Sequence, residues 1–284
     1  MGTQNNEEIR KAVRESYGNI AKSVSVVSGI GANPSCCETP ETSEPNARGT
    51  CCSGPEVDLE QLSALMGYSK QDLNSAPLGA NMGLGCGNPV ALASLKAGET
   101  VVDLGAGGGF DCFLAAKQVG ETGYIIGVDM TPDMVTQARM NAEKVGAINV
   151  EFRLGEIEHL PVADSSADII MSNCVINLSP DKPGVYRDAF RVLKPGGRLA
   201  IADIVATAPL PDEIQKNLAL VSACIGGAAT IEDTRQMLGA AGFEKIKITP
   251  KDESRKLIQT WDPNKSGNAW DYVVSAYIEA VKPS

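Results

Sequence analysis

Short apolar runs alternate with segments of helical periodicity through the middle of the chain. Five runs are typical of buried parallel strands: 99–105, 124–129, 150–155, 167–172 and 197–204. After the second run, the pattern predicts a helix with Thr131 as its N-cap, Pro132 at its first position and Gly146 as its stop. A helix over 184–193 and a turn over 194–197 separate the last two runs. This alternation predicts a mostly parallel sheet with helices on both faces.

The residues before this region follow a different pattern. Residues 7–17 carry mixed charges at helical spacing and predict an exposed N-terminal helix. Residues 28–55 are rich in Gly, Pro, Ser, Thr and Asn and have little apolar content, so we expect a mobile arm. A short helix over 57–66 and a glycine-rich segment over 76–89 lead into the first strand.

Beyond Val205 the strand–helix rhythm changes. Residues 211–225 predict one helix, with Ile214, Leu218, Val221 and Ile225 on one face. A helix over 231–240 and strands over 244–249 and 271–281 follow. We expect three regions, an N-terminal helix with arm and short helix, a core, and a C-terminal elaboration packed on the sheet, with bounds 1–67, 68–205 and 206–284.

Composition bounds the class of protein. The chain has 284 residues, of which 43% are hydrophobic and 21% charged, and this is enough to bury one large core. No apolar run reaches the ~18–20 residues that span a bilayer, and no secretory signal pattern is present, so we expect a cytoplasmic protein without a membrane partner. The net charge of −10 argues against nucleic acid as a partner, because phosphate binding needs a positive surface.

The cysteines suggest soft-ligand chemistry. The chain has eight cysteines and one histidine, and in a reducing compartment such a count favours metal, metalloid or redox chemistry over disulfides. Two adjacent pairs lie in the arm and four cysteines are single: Cys36–Cys37, Cys51–Cys52, Cys86, Cys112, Cys174 and Cys224. The alternative for each single cysteine is a small buried hydrophobe.

A glycine-rich turn follows the first strand, with the pattern D-x-G-x-G-x-G from Asp103 through Gly105, Gly107 and Gly109. The dinucleotide pattern G-x-G-x-x-G would need a small residue where Phe110 stands. The observed pattern instead resembles motif I of class I S-adenosylmethionine-dependent methyltransferases.

Three further segments agree with this resemblance. Asp129 ends the second strand, where a carboxylate can accept both ribose hydroxyls, and 154–161 resembles the family's adenine-side stretch. The segment 191–203 resembles the post-core methyltransferase motif. Together they imply an α/β, Rossmann-like, doubly wound fold that binds S-adenosylmethionine through Asp103, Gly105, Gly107, Gly109, Asp129, Met130, Glu156, Ile157 and Asn173.

Three cysteines lie near the place expected for a methyl acceptor. In open α/β sheets the ligand lies beyond the carboxyl ends of the strands, which is where Asn173 and Cys174 follow the fourth strand. Cys224 precedes Gly226–Gly227 in the region after the fifth strand. Cys86 lies in GLGCGNP, where we expect an exposed thiol on a glycine loop. A structural thiol remains the alternative at Cys174 and Cys224.

Four stretches together resemble the arsenite S-adenosylmethionine methyltransferases: NCVINLSPDK, ACIGGA, GCGNP and VDMTPDMV. The resemblance extends from about Tyr68 to the C-terminus. It implies that Cys86, Cys174 and Cys224 are the family's three arsenic-binding, catalytic thiols. A fourth family cysteine lies nearer the N-terminus, and the candidates for it here are Cys36, Cys37, Cys51 and Cys52.

The chemistry of arsenic is consistent with this resemblance. Trivalent arsenic is soft and is satisfied by three thiolates, and its lone pair can attack the donor methyl without a general base. His159 is therefore expected to have a loop role only. The resemblance implies arsenite and methylated trivalent arsenicals as partners, and thioredoxin or glutathione as the thiol reductant.

Two other functions and several uses of the arm remain as alternatives. The fold would also serve a carbon methyltransferase for quinones or sterols, with incidental cysteines. The other alternative is a thiol-rich, non-catalytic metalloid-binding protein, but the intact glycine turn and Asp129 argue against it. The arm's paired cysteines could capture arsenic, exchange disulfides, form a Cys₄ zinc site despite unusual spacing, or do nothing.

Overall fold

Seven strands form one sheet in the computed structural model, which describes residues 3–28, 59–259 and 269–284. The strand order is β3-β2-β1-β4-β5-β7-β6. The strands are β1 Thr100–Leu104, β2 Tyr124–Asp129, β3 Val150–Leu154, β4 Ala167–Asn173, β5 Leu193–Ala206, β6 Glu244–Lys251 and β7 Val273–Val281.

Helices cover both faces of this sheet, and among the described residues four of them precede its first strand in the chain. The α-helices are α1 Thr3–Ser28, α2 Leu59–Met66, α3 Lys70–Ser75, α4 Pro89–Ala93, α5 Phe110–Val119, α6 Pro132–Val145, α7 Lys182–Val192, α8 Asp212–Gln215, α9 Leu218–Ser222, α10 Ile231–Ala241 and α11 Arg255–Ile258. Within the described ranges, no helix combines the length and apolar character needed to cross a membrane.

The parallel half of the sheet follows the apolar runs of the sequence. β1 pairs in parallel with β2 and β4, and its Val101, Val102 and Leu104 side chains are fully buried. Such strands are apolar on both faces because helices cover each side. The carboxyl ends of β1, β2 and β4 therefore meet at one edge, and this edge carries the site described below.

The C-terminal strands complete the same sheet. β7 runs antiparallel between β5 and β6, and its register with β5 extends from Arg198 opposite Val281 to Ala206 opposite Val273. The turn expected over 194–197 lies within β5, which begins at Leu193.

The single helix predicted over 211–225 was wrong. The structure has two short helices there, α8 and α9, with Asn217 between them. The Asn217 side chain accepts hydrogen bonds from the backbone N–H groups of Ala219 and Leu220, at 3.0 and 3.3 Å. An asparagine side chain that takes these donors begins a new helix, and it interrupts the one that the apolar stripe predicts.

The exposed character predicted for the N-terminal helix was also wrong. α1 packs against α6 and α9, and Val13 and Ala21 are 2% and 1% exposed. Ile9 and Tyr17 pack against the same buried cluster as Val13. Residues 9, 13, 17 and 21 share one face of a helix, so this stripe was present beneath the charges in the sequence.

The arm predicted over 28–55 lies outside the described residues, except for Ser28 at the end of α1. Its four cysteines, Cys36, Cys37, Cys51 and Cys52, lie there too. Their proposed uses therefore stay predictions.

Val13→Asp should release α1 from the sheet without unfolding the core. Burying an unpaired carboxylate costs several kcal/mol, so the helix is expected to undock instead. Limited proteolysis should cut α1 of the variant first, while the main thermal transition stays near that of the wild type. Lys11→Asp, at a side chain 74% exposed, is the matched control and should leave α1 protected. Equal protection of α1 in both variants would contradict this docking.

Candidate active site

A cavity opens at the carboxyl ends of β1, β2 and β4. It encloses about 1080 Å³, including its open mouth, and is lined by the glycine turn after β1, the end of β2, residues 80–85 and α1. Its wall continues through Asn173 at the end of β4 and through Cys174 and Val175, which follow it. This is the edge at which open α/β sheets bind their ligands.

The glycine turn is required by its backbone geometry. Gly105 and Gly107 have φ values of +71° and +51°, which side chains rarely adopt. A Cβ at Gly105 would lie 2.4 Å from Val175, whereas a Cβ at Gly107 would meet nothing within 4 Å. The backbone at Gly107 therefore faces open cavity, where a ligand can approach it closely.

Asp129 is fixed at the end of β2. Its two carboxylate oxygens accept hydrogen bonds from the backbone N–H groups of Thr131, at 2.8 Å, and Gly107, at 2.9 Å. Burial raises the pKa of Asp129, and these two donors lower it. The carboxylate is thus oriented towards the cavity by the glycine turn itself.

Two more carboxylates, those of Asp103 and Asp111, are buried in the wall. Asp111 accepts hydrogen bonds from the Tyr68 hydroxyl at 2.6 Å and the Asn173 amide at 3.0 Å. Burial raises the pKa of Asp111 to about 6 and holds that of Asp103 well above its ordinary value. No ion pair among the described residues includes either of them. A cationic ligand in the cavity would favour the charged form of both carboxylates.

Helix α1 closes one side of the cavity through charged contacts. Arg14 pairs with Glu156 at 2.7 Å, and Arg10 pairs with the buried Glu158 at 3.2 Å. The hydroxyl of Tyr17 donates to the carbonyl oxygen of Ser222 at 3.3 Å. These contacts join α1 to the turn after β3 and to α9.

Three free thiols, those of Cys86, Cys174 and Cys224, lie together in one buried cluster. The thiol of Cys224 donates to the carbonyl oxygen of Cys174 at 2.9 Å. The Sγ atoms of Cys86 and Cys174 and a carboxylate oxygen of Asp203 all lie within 4.8 Å of one another. Burial raises the pKa of Cys86, and burial together with the two neighbouring thiols raises that of Cys174 well above its ordinary value.

The exposure predicted for Cys86 was wrong, because its side chain is only 3% exposed. Its N–H donates to the Asn173 side chain at 3.0 Å, and its carbonyl oxygen accepts from the Ser275 hydroxyl at 2.8 Å. These bonds fold the glycine loop against β4 and β7. This burial could not be predicted from the residues around Cys86, because β7 is distant from them in sequence.

The backbone places the other two thiols in an uncommon conformation. Cys174 and Cys224 have φ values of 58° and 62°, in the left-handed region that non-glycine residues seldom occupy. Such residues often lie at functional sites, where the surrounding structure maintains them. Gly227 allows the turn that follows Cys224 to pack closely against Asn177, because a Cβ on Gly227 would lie 2.1 Å from the Asn177 carbonyl oxygen.

Comparison with known proteins shows the family. A family model for a methyltransferase domain matches residues 95–242. An arsenite methyltransferase of Halobacterium salinarum is 49% identical over 278 residues, which are 98% of this chain and 68% of that protein. The chain belongs to the arsenite methyltransferase family.

Other members of the arsenite methyltransferase family are also similar. One from Aquipseudomonas alcaligenes is 40% identical over 66% of this chain and 56% of its own length. The crystal structure of CrArsM, an arsenic(III) S-adenosylmethionine methyltransferase from Chlamydomonas reinhardtii, superposes with a TM-score of 0.58. That pair is 30% identical and covers 78% of this chain and 73% of CrArsM. The expected class I, mostly parallel methyltransferase fold is confirmed.

Most residues proposed from the sequence line the cavity of this arsenite methyltransferase family member: Asp103, Gly105, Gly107, Asp129, Met130, Ile157, Asn173 and Cys174. Four of the described residues do not. Gly109 is the N-cap of α5 and lies against Phe113 and Phe152, and the carboxylate of Glu156 pairs with Arg14. Cys86 and Cys224 lie in the cluster around Cys174 instead of in the cavity lining.

Several polar side chains of this family member's cavity were not predicted from the sequence, among them Tyr17, Tyr68, Asp111 and Glu158. Asp111 was visible two residues after the glycine motif, and Tyr17 as part of the apolar stripe of α1. Tyr68 and Glu158 carried no comparable signal, because each reaches the cavity through a loop whose course depends on tertiary packing.

Gly227→Ala should disturb the Cys224 turn. The added methyl would collide with the carbonyl oxygen of Asn177, so either α9 or the turn after β4 must move. We expect a loss of roughly 1–3 kcal/mol in the free energy of unfolding, measured by denaturant titration. Gly239→Ala is the control, because nothing lies within 4 Å of its Cβ in α10, and it should stabilise by up to about 1 kcal/mol. A neutral Gly227→Ala would show that the two turns do not pack as described.

Proposed function

We propose that this chain transfers a methyl group from S-adenosylmethionine to trivalent arsenic held by Cys86, Cys174 and Cys224. The observation that supports this proposal best is the convergence of three buried, free thiols behind the cavity. Carbon methylation of a quinone or sterol would leave such a cluster unused, and the comparisons favour arsenite.

The cavity fits S-adenosylmethionine by charge and by shape. This cofactor is cationic at its sulfonium and ammonium groups, and the wall carries the buried carboxylates of Asp103, Asp111 and Asp129. Gly107 offers open space at the backbone, which suits the close passage of an amino-acid moiety. When bound, the cofactor supplies an electrophilic methyl group.

Each residue then has a proposed role in binding. Asp129, already held by Thr131 and Gly107, accepts the two ribose hydroxyls. Asp103 and Asp111 attract the cationic part of the cofactor. Ile157 and Met130 provide apolar contact beside the adenine. Asp111 remains oriented throughout by the Tyr68 hydroxyl and the Asn173 amide.

On the acceptor side, the three cysteines bind arsenic by condensation. Each thiol replaces one hydroxyl of arsenous acid, and its proton leaves with that hydroxyl as water, so three waters form and no base is consumed. Trigonal coordination by three sulfurs suits the soft arsenic centre. The arsenic lone pair carries no proton, and this agrees with the exposed position of His159, the only histidine.

Methyl transfer leaves arsenic in the pentavalent state. A thiol reductant, thioredoxin or glutathione, then returns it to the trivalent state. The methylated product has one As–C bond and so needs only two thiolates for a further round. We therefore keep methylated trivalent arsenicals as partners of this site.

Cys86→Ser, Cys174→Ser and Cys224→Ser should each abolish methylation of arsenite while cofactor binding stays within about threefold of the wild type. Serine keeps the size of the side chain and removes the soft ligand. Methylarsenite should still be turned over by Cys86→Ser, because two thiolates remain. Product analysis and calorimetry check these outcomes.

Cys112→Ser is the matched control for this series. Cys112 is fully buried and its thiol donates to Asp103 at 3.2 Å, a bond that a serine hydroxyl can replace. Arsenite methylation should therefore survive in this variant. A Cys174→Ser protein with the wild-type rate would refute the arsenic site.

Affinity for S-adenosylmethionine should fall as the pH drops below about 6. Asp111 has a raised pKa of about 6, so its neutral form accumulates below that value and attraction for the cationic ligand is lost. We expect roughly tenfold weaker binding at one pH unit below this pKa, by calorimetry without arsenite. Asp111→Asn should bind more weakly at neutral pH and show little further change across this range. The same pH dependence in Asp111→Asn would exclude Asp111 as its source.

A further inference from the structure

Asp203, in β5, is a buried carboxylate that the proposed mechanism has not yet used. It is 2% exposed and accepts three hydrogen bonds. They come from the backbone N–H of Ile176 at 2.9 Å, the Asn177 side chain at 3.0 Å and the backbone N–H of Ile204 at 2.7 Å. Its carboxylate also lies within 4.8 Å of the sulfurs of Cys86 and Cys174.

Two opposing effects act on the Asp203 carboxylate. Burial raises its pKa, the three N–H donors and the charge of Lys182 lower it, and the result is a pKa of about 6. Lys182 acts from a distance, since its ammonium donates to the carbonyl oxygen of Ser179 at 3.2 Å. In the part of the chain that the structure describes, no cationic side chain pairs with Asp203 within 4.0 Å.

Methyl transfer moves a positive charge across the site. The arsenic lone pair forms the new As–C bond, and the donor's S–C bond breaks with its electron pair staying on sulfur. Arsenic is oxidised from the trivalent to the pentavalent state, and the positive charge of the sulfonium passes to it. The carboxylates of Asp103 and Asp111 hold the charge on the donor side, so they favour the state before transfer.

We propose that Asp203 supplies the opposing negative charge on the acceptor side and stabilises the positive charge that develops on arsenic. This inference rests on the proposed arsenic site. The carboxylate is fixed by its three donors before the reaction, so no reorganisation is required as the charge arrives. Few mobile dipoles screen it in this buried location, so its field at the arsenic is strong.

A purely structural role for Asp203 leads to different results. In that case the carboxylate would only hold the turn that contains Ile176 and Asn177, and its loss would misplace Cys174 and weaken arsenite binding. The electrostatic role instead predicts intact arsenite binding with slow transfer. The rate of transfer and the affinity for arsenite therefore separate the two roles.

The experiment uses the full chain, loaded with arsenite and mixed rapidly with S-adenosylmethionine, with methylated arsenic measured in a single turnover. Asp203→Asn should slow this step roughly 10²-fold, with the dissociation constants of arsenite and cofactor within about threefold of the wild type by calorimetry. Lys182→Met removes a positive charge near the same carboxylate. Because that charge opposes the positive charge developing on arsenic, its loss should accelerate the step about threefold. Asn177→Ala removes one of the three hydrogen bonds to Asp203 but keeps its charge, so it should slow transfer by less than about tenfold, well short of the effect of Asp203→Asn.

A wild-type transfer rate in Asp203→Asn would overturn the inference, as would equal slowing in Asp203→Asn and Asn177→Ala. If Asp203→Asn does not fold, Lys182→Met decides: acceleration supports the inference, and an unchanged or slower rate overturns it. Failure of the wild-type chain to bind arsenite would instead refute the proposed function. The arsenite titration precedes the kinetic work, so this failure is recognised separately.

Discussion

One side-chain amide, that of Asn173, connects the two halves of the site. Its oxygen accepts the N–H of Cys86 at 3.0 Å, and its nitrogen donates to Asp111 and to the carbonyl oxygen of Gly87, each at 3.0 Å. The amide is planar and short, so these bonds set the separation between the thiol loop and the carboxylate wall. Only an amide provides both an acceptor and two donors in this arrangement. In the proposed function, the relative position of methyl donor and acceptor therefore depends on one residue at the end of β4.

The thiol cluster combines backbone strain with desolvation. Cys174 and Cys224 each occupy a left-handed conformation, which costs roughly 1–2 kcal/mol per residue, and burial raises the pKa of Cys174. The neutral thiol forms of Cys86 and Cys174 are consequently favoured in the absence of the proposed arsenic ligand. A ligand that carries its own hydroxide groups can remove those protons as water, whereas a bare cation would have to release them into an apolar region.

The strands were predictable because a buried parallel strand is apolar on both faces, and β2 has the bounds that its sequence pattern predicts. The burial of Cys86 was not predictable, because it depends on a hydrogen bond from Ser275, in a strand that is distant in sequence. Nor was the position of α1, where the charges of Arg10 and Arg14 conceal the apolar stripe by pairing with carboxylates of the core. The glycine turn after β1 was thus visible in the local sequence, whereas the thiols were visible only as separate candidates.

The position of β7 has a consequence for how the protein is made. β7 lies between β5 and β6, so during synthesis both strands present unpaired edges until residue 281 has left the ribosome. Unpaired strand edges bind other chains readily. The pairings of β7 with β5 and with β6 cannot form before this segment has been translated, and the bond from Ser275 to the carbonyl oxygen of Cys86 cannot form earlier either. The loop that carries Cys86 therefore reaches its buried position only when the last strand of the sheet is added.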